Sequence, residues 1–466
     1  MAEKLNLNRV AMPKQEPDVR ARNYQEVATG FTAEMAKEEA DRCIQCHKRN
    51  CVAGCPVNID IPDFIAAMRV GNMPGAVDAL KSKNALPGVC GRVCPQESQC
   101  EKVCVLAKKK APVGIGRLER YVADWALKEG YKEEVKMARA TGIKVAVVGS
   151  GPAGLTAAAD LAKGGHKVTV FEALHVAGGV LMYGIPEFRL PKDIVQSEVD
   201  FVKSLGVDIK LDWVVGRTLT VDELQAEGYK AVFLGTGAGL PMFLHLPGEN
   251  LGGVYSANEF LTRINLMKAY RFPEYRTPVI VGETVAVIGG GNVAMDAARC
   301  ALRLGAKKVY IIYRRSRVEM PARHEEVENA EEEGIIFKLL TNPVRFHGND
   351  KGQVVSMECV EMELGEPDAS GRRRPIEKKG SEFSIDVNTA VIALGTAPNP
   401  LVPSTSTGLD VTDQGMVTAD AVTGLTSKKA VWAGGDVTTG AATVISAMGA
   451  GKRSAADMNK YLANGA

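Results

Sequence analysis

The sequence predicts an α/β chain in which two Rossmann-like dinucleotide-binding units follow an α-helical segment. Three observations predict it. A strand, a glycine-rich turn and a helix occur in that order twice, at "IKVAVVGSGPAGLTAAADLA" (143–162) and "ETVAVIGGGNVAMDAARCAL" (283–302). From Ile143 to the end, strand-like runs alternate with helix-like ones, the pattern of parallel sheets. Before Ile143 the texture is different: charged, helix-like stretches such as "TAEMAKEEADRCIQC" dominate, and eight of the ten cysteines lie between Cys43 and Cys104.

Composition sets the outer limits. With 466 residues, 45% of them apolar, the chain has material for about three domains. Its 57 basic residues nearly cancel its 55 acidic ones, so a net charge of +2 gives no argument for a nucleic-acid or membrane surface. The opening "MAEKLNLNRVAMPKQEPDVR" is charged and interrupted by prolines, without the apolar core of a signal peptide, and a cytoplasmic protein is expected. "VAVVGSGPAGLTAAADLA" is apolar enough to raise a membrane span, but its glycines, proline and Asp160 fit a strand, turn and helix instead.

The helical segment carries the clustered thiols. Their spacing is Cys43-x2-Cys46-x4-Cys51-x3-Cys55-Pro, then Cys90-x3-Cys94-Pro, then Cys100-x3-Cys104. Without a secretion signal, crowded cysteines more often bind metal than form disulfides. Zinc sites usually come as two short pairs, whereas this run, with prolines after Cys55 and Cys94, resembles the iron–sulfur run of bacterial ferredoxins. There the cysteine before proline serves a second cluster: three close thiolates wrap one cubane and the chain then leaves toward its neighbour. A zinc or disulfide module is the alternative. Cys300 and Cys359 stand alone and read as small buried apolar side chains.

In the first unit Gly149 permits the tight turn, Gly151 lets backbone approach a pyrophosphate, and Gly154 lets helix and strand pack closely. The helix start offers free amides to phosphate oxygens. The next strand, "HKVTVFEA", ends on Glu172, where a carboxylate binds ribose hydroxyls. The second unit places Gly289, Gly291 and Asn292 at its turn, with Ala294 in the third position. Its following strand, "AKKVYIIYRRSR", offers Arg314, Arg315 and Arg317 where the first unit has its glutamate. Guanidinium groups bind a 2′-phosphate that a carboxylate would repel, so this unit is expected to prefer NADP(H). An exposed basic turn is the plainer reading. The charged stretch 361–384 reads as a solvated hairpin connection.

"AVWAGGDVTTGAATVISAMGAGKRSA" (430–455) is similar to the late fingerprint of FAD-dependent disulfide-reductase-like enzymes. That resemblance implies that Gly435 and Asp436 meet the ribityl or pyrophosphate region, and that amides near Ala442 and Thr443 face the flavin pyrimidine. "FLGTGA" (233–238) and "IALGTAPN" (392–399) resemble the crossover strands of that family. Three domains result: a helical one over 1–140, a discontinuous FAD-binding one over 141–277 and 397–466, and an NADP(H)-binding one inserted over 278–396.

Taken together, the cysteine run, "PVGIGRLERY", "GGVLMYGIPEFRLPK" and the dinucleotide turns resemble the glutamate synthase small-subunit family. That family includes the large subunit of NADH-dependent reduced ferredoxin:NADP oxidoreductase (Nfn type) and matching domains of dihydropyrimidine dehydrogenase. The resemblance implies two [4Fe-4S] clusters with interleaved ligands. Cys43, Cys46, Cys51 and Cys104 would hold one. Cys55, Cys94 and Cys100 would hold the other, with a fourth ligand that is not cysteine, for which Glu119 is the choice. Cys90 is then a structural thiol. For Glu119 the plain reading is a surface helix residue. The resemblance also places Arg189 near the flavin, where a cation would favour anionic reduced states; a domain-interface arginine is the other reading.

NADPH delivers a hydride pair and iron–sulfur clusters accept single electrons, so a flavin between them is the converter. The chain has no catalytic triad, amidotransferase nucleophile or FMN barrel, so the family implies a partner and a hetero-oligomer. The favoured expectation is a small FAD/[2Fe-2S] subunit together with ferredoxin, forming an electron-bifurcating transhydrogenase. The alternative is a large glutamate synthase subunit receiving the electrons. A plain electron-relay subunit of a larger complex is a third.

Overall fold

The computed structural model describes residues 6–369 and 371–465; the extreme ends of the first and last expected domains, residues 1–5 and 466, lie outside it. The apolar run at 144–148 becomes a strand buried on both faces, as the strands of a parallel sheet covered by helices must be. It lies at the centre of a five-stranded parallel sheet, flanked by Lys167–Phe171 and then Asp208–Lys210 on one side, and by Tyr229–Leu234 and then Val431–Ala433 on the other.

A second five-stranded parallel sheet has the order Val254–Ser256, Thr389–Ile392, Thr284–Ile288, Lys308–Tyr313, Ile336–Leu339. All its strands fall between Leu234 and Val431, so the chain leaves the first sheet, builds the second and returns. A two-residue antiparallel ladder, Leu240–Pro241 with Thr396–Ala397, ties the two crossing segments together. An antiparallel sheet of Thr341–Gly348, Val354–Pro367, Arg373–Glu377 and Phe383–Asp386 includes the charged hairpin expected at 361–384. Its Phe346, Met357 and Cys359 pack against Ala286, Ile288 and Ile312 of the second sheet.

The segment before Ile143 is helical, with its longer helices at Ala33–Asp41, Ile61–Arg69, Met73–Lys81, Pro87–Val93 and Ile115–Lys128. It is not a separate globule. Phe64, Leu86, Leu118 and Val122 share one continuous core with Val145, Leu155 and Met448. Two glycines of the C-terminal helix Val444–Ala463 permit this closeness: a Cβ on Gly449 would stand 2.8 Å from Pro56 O, and one on Gly451 2.2 Å from Ala153 O. Among the described residues no helix is long and apolar enough to cross a membrane.

Candidate functional site

At the first turn the three glycines meet three different surroundings. Gly149 has φ +97°, and a Cβ there would lie 2.5 Å from Gly235 O; one on Gly154 would lie 1.9 Å from Gly149 O. Gly151 caps the helix Pro152–Lys163 and has nothing within 4 Å of where its Cβ would be. The first and third glycines are therefore required by the protein's own packing, and the second borders open space at a helix N-terminus, the fit that a pyrophosphate needs.

Glu172 lies at this turn, buried. Its Oε2 accepts from Ser150 N at 2.9 Å and Ser150 Oγ at 2.5 Å, and its Oε1 accepts from Leu174 N at 2.8 Å. A carboxylate has about four acceptor sites, so one stays open for a ribose hydroxyl. Gly435 takes φ +81° and turns the chain into Asp436, whose Oδ1 accepts from Ala442 N at 3.2 Å. Thr443 caps the C-terminal helix, its hydroxyl accepting from Ser446 N. Burial pushes the Tyr183 phenol up to about 12, and the charges of Asp436 and Glu172 add to the effect.

The second turn repeats the arrangement. Gly289 has φ +148° and a Cβ there would lie 2.3 Å from Ala393 O, whereas the nearest atom to a Cβ on Gly291 is Pro321 Cγ at 3.9 Å. Ala294 is fully buried, and Asn292 Oδ1 accepts from Arg323 N at 3.0 Å. The three arginines divide. Arg315 is buried and engaged, donating to Asp368 Oδ2 and to Arg373 O, both at 2.8 Å. Arg317 is exposed and paired with Glu331. Arg314 is exposed and makes no hydrogen bond or ion pair among the described residues, which leaves its guanidinium ready for an anion.

The thiols separate into two groups. Cys43, Cys46, Cys51 and Cys104 line one chamber, together with the apolar side chains Ile44, Ile61, Ile65 and Val103. All four are partly exposed, whereas Cys55, Cys94 and Cys100 are buried. Burial pushes Cys51 and Cys55 each up to about 11, with the neighbouring Cys43 and Cys104 adding for Cys51 and Glu119 and Cys90 for Cys55. Cys100 is raised by burial and by Glu101, Glu119 and Cys55. For Cys94 a hydrogen bond with Cys90 lowers the value, while burial and the charges of Glu119, Cys100 and Cys55 raise it more. These mutual influences put Cys55, Cys90, Cys94, Cys100 and Glu119 in one neighbourhood.

Glu119 is a buried residue of the helix Ile115–Lys128, not a surface one. Burial raises its carboxyl to about 8, and Asn84 Nδ2, donating to Oε1 at 2.7 Å, holds it in place. Cys90 is fully buried in the same region, its Sγ 3.5 Å from Met448 Sδ. Among the described residues no three His, Cys, Asp or Glu side chains converge on a point that one metal ion could occupy. Uncharged thiols in apolar surroundings become thiolates when a strongly cationic group arrives.

Arg189 is buried at a contact between units. Its Nη1 donates to both carboxylate oxygens of Asp296, at 2.8 and 2.7 Å, and its Nε stands 3.2 Å from Glu326 Oε2. Motif reading also missed partners. Ser150 orients Glu172 and receives Gly178 N at 3.0 Å, and Asn84 fixes Glu119. Ser150 lay inside the glycine turn and could have been found there; Asn84 sits in no motif.

The family profile described as dihydropyrimidine dehydrogenase domain II, 4Fe-4S cluster, matches residues 20–131, and that of pyridine nucleotide-disulphide oxidoreductases matches 143–451. The glutamate synthase [NADPH] small chain of Escherichia coli is 36% identical over 464 residues, covering 98% of each chain. The NADP(+)-dependent formate dehydrogenase subunit beta of Moorella thermoacetica is 42% identical over 438 residues, and the match spans 89% of this chain but 60% of that longer protein. Among solved structures, Mycobacterium tuberculosis FprA in complex with NADPH superposes with a TM-score of 0.58 at 21% identity, covering 69% of this chain and 85% of that one. That likeness speaks for the fold.

Proposed function

We propose a function from the premise that the chain belongs to the glutamate synthase small-subunit-like family of FAD and iron–sulfur NADPH oxidoreductases. It is an electron-transfer oxidoreductase whose iron–sulfur domain precedes a thioredoxin-reductase-like α/β portion. Beyond this, we assign FAD to the first glycine turn and the Gly435–Thr443 segment, NADP(H) to the second turn with Arg314 on its 2′-phosphate and Arg317 joining it only by leaving Glu331, and two [4Fe-4S] clusters to the two thiol groups.

Bound FAD would supply the exchange between paired and single electrons that neither nicotinamide nor cluster performs alone. The chain's residues do the rest. Gly151 and the Pro152 helix amides bind phosphate, Glu172 and Asp436 accept from hydroxyls, and the helix at Val444 aims its N-terminal amides at the pyrimidine edge. The buried thiols and Glu119 would bind iron, and a carboxylate, harder than thiolate, would set the second cluster's potential apart from the first. Arg189 remains a candidate for tuning flavin potential.

The observation that carries this reading is the course of the C-terminal helix. It begins at Thr443 and within two turns brings Met448 against Cys90 and Gly449 against Pro56, beside the proposed ligand Cys55. One rigid element would thus span from the proposed flavin position to the second thiol group, and the first group, which is more exposed, would be the one to meet a partner.

For that partner we favour the small FAD/[2Fe-2S] subunit with ferredoxin, in a bifurcating transhydrogenase. The coextensive match to a glutamate synthase small chain favours the second reading, a large subunit that consumes the electrons. The test is anaerobic ferredoxin reduction by NADPH, with and without NAD and the small partner. NAD-dependent ferredoxin reduction is expected; glutamate formation with a purified large partner would reverse the choice. Absence of any NADPH-linked dye reduction would sink the oxidoreductase reading.

A further inference from the structure

The two sheets are joined by two crossing segments tied by a two-residue ladder, the arrangement of a hinge, and beside it Asn265 Nδ2 of the second unit donates to Gly184 O of the first at 3.1 Å. Residues 14–28 bridge that hinge from outside. They touch all three parts of the molecule.

On the second unit, the arm's Arg20, 1% exposed, donates from Nε to Glu333 Oε1 at 3.1 Å, and from Nη2 to Glu332 Oε2 at 2.5 Å and Asn329 Oδ1 at 3.2 Å. Lys14 Nζ reaches the same Asn329 Oδ1 at 2.9 Å, and Asn23 O accepts from Arg303 Nε at 2.9 Å. On the helical domain, the arm's Glu26 pairs with Arg92 at 2.8 Å and Arg120 at 3.0 Å, and Ala28 O accepts from Arg120 Nη2 at 2.8 Å. On the first unit, Val27 N donates to Phe188 O at 2.9 Å.

The loop of Phe188 and Arg189 continues the same clamp. The Phe188 ring lies under the guanidinium groups of Arg299, at 4.7 Å, and Arg303, at 3.9 Å, while Arg189 is held by Asp296 and Glu326. Glu333 gathers Arg20, Arg299 and Arg303, and its side chain is fully buried. Buried ions of this kind cannot slide. Any rotation of the second unit would strip charges of their partners in a low-dielectric interior, so the contact is either whole or broken.

We propose that residues 14–28 are a strap that holds the second nucleotide-binding unit in a single orientation on the first unit and the helical domain, with Arg20 as its positioning residue. Resting on the reading that the second unit delivers hydride to a flavin on the first, the strap makes the reacting geometry permanent and dispenses with a swivel between turnovers. Its far end, Glu26, grips Arg92 and Arg120, which lie two residues from Cys94 and next to Glu119, so the nucleotide unit and the second thiol group are held by one segment.

The test uses the full cofactor-loaded chain with Arg20→Gln, Arg20→Lys and Glu26→Gln, the last loosening the other end should the first fold poorly. Amide hydrogen exchange at Gln15 and Val27, hydrogen-bonded within and from the strap, is expected to quicken roughly tenfold or more in Arg20→Gln. Single-turnover flavin reduction by NADPH is expected to slow about a hundredfold at unchanged NADPH affinity, because small misplacement of reacting atoms is costly. Arg20→Lys should recover part of both losses. Unchanged exchange, or a loosened strap with hydride transfer at the unmodified rate, overturns the proposal. If the unmodified protein's flavin is not reduced by NADPH, the functional reading fails, and exchange alone then decides whether the strap is held by Arg20.

Discussion

Substituting the second and third glycines of the first turn, one at a time, separates cofactor binding from folding. In Gly154→Ala the new methyl would lie 1.9 Å from Gly149 O, about 1.5 Å inside an ordinary contact of ~3.5 Å. The methyl is fixed to the Cα and the oxygen belongs to the backbone of the strand–helix junction, so neither can turn aside. Overpacking of this kind costs about 1–3 kcal/mol or more, and poor folding is expected. In Gly151→Ala the backbone, at φ −70° and ψ −176°, is ordinary for alanine, and no atom lies within 4 Å of the methyl. The cofactor-free fold should therefore be as stable as before, or gain about 0.4–1 kcal/mol through a less flexible unfolded chain. The methyl would, however, stand where a pyrophosphate must approach. A cost of about 2 kcal/mol weakens FAD binding roughly thirtyfold. FAD content after desalting, titration of FAD into stripped protein, and thermal unfolding of the stripped form measure the three quantities. A Gly151→Ala protein that holds FAD at unaltered affinity refutes the reasoning, because the open space would then not be the pyrophosphate path.

Three further predictions concern charge and metal. The carboxyl of Glu333 is lowered from 4.5 to about 2: burial opposes the shift, and Arg299 and Arg303 outweigh it. At 1.36 kcal/mol per pH decade that difference is roughly 3 kcal/mol of stability; being a depressed acid, it is fully present above pH 4.5 and lost as pH falls toward 2. Denaturation of Glu333→Gln against the unmodified protein should show a constant deficit between pH 8 and pH 5, and a deficit that shrinks within that range contradicts the pairing. Cys51→Ser and Cys55→Ser should alter different paramagnetic signals of the reduced protein, the first the more exposed cluster and the second the buried one; identical spectral changes would merge the two sites. Arg314→Ala should raise KM for NADPH roughly tenfold, as loss of a charge-assisted contact does, and leave NADH kinetics alone, with equal effects on both dinucleotides removing the 2′-phosphate contact.

Much of the fold was legible because it depends on local pattern. A strand buried on both faces is apolar throughout, a dinucleotide turn needs glycines at fixed spacing, and both turns stand where that spacing put them. The likeness to a known cysteine run named Cys43, Cys46, Cys51 and Cys104 together, and those four line one chamber. The environment of single residues was not legible. Glu119 could be read as a surface helix residue because its burial depends on its helix packing against Pro87–Val93 and on Asn84, which no local spacing reveals. Arg315 looked like its neighbours Arg314 and Arg317 until the Arg373 hairpin and Asp368 closed over it.

Arg189 and the arm before Phe31 show where the boundary lies. The sequence by itself determined what each segment can be: which runs are strands, where the two glycine turns lie between strand and helix, and where the thiols cluster. Those properties are set by residues a few positions apart. Only the tertiary structure decided that Arg20 meets Glu333, 313 residues away, and that Arg189 meets Asp296, 107 residues away. Such pairs have no period or spacing in the chain. Their charges become strong only where the packed domains exclude water, and that exclusion exists only once the whole molecule has folded.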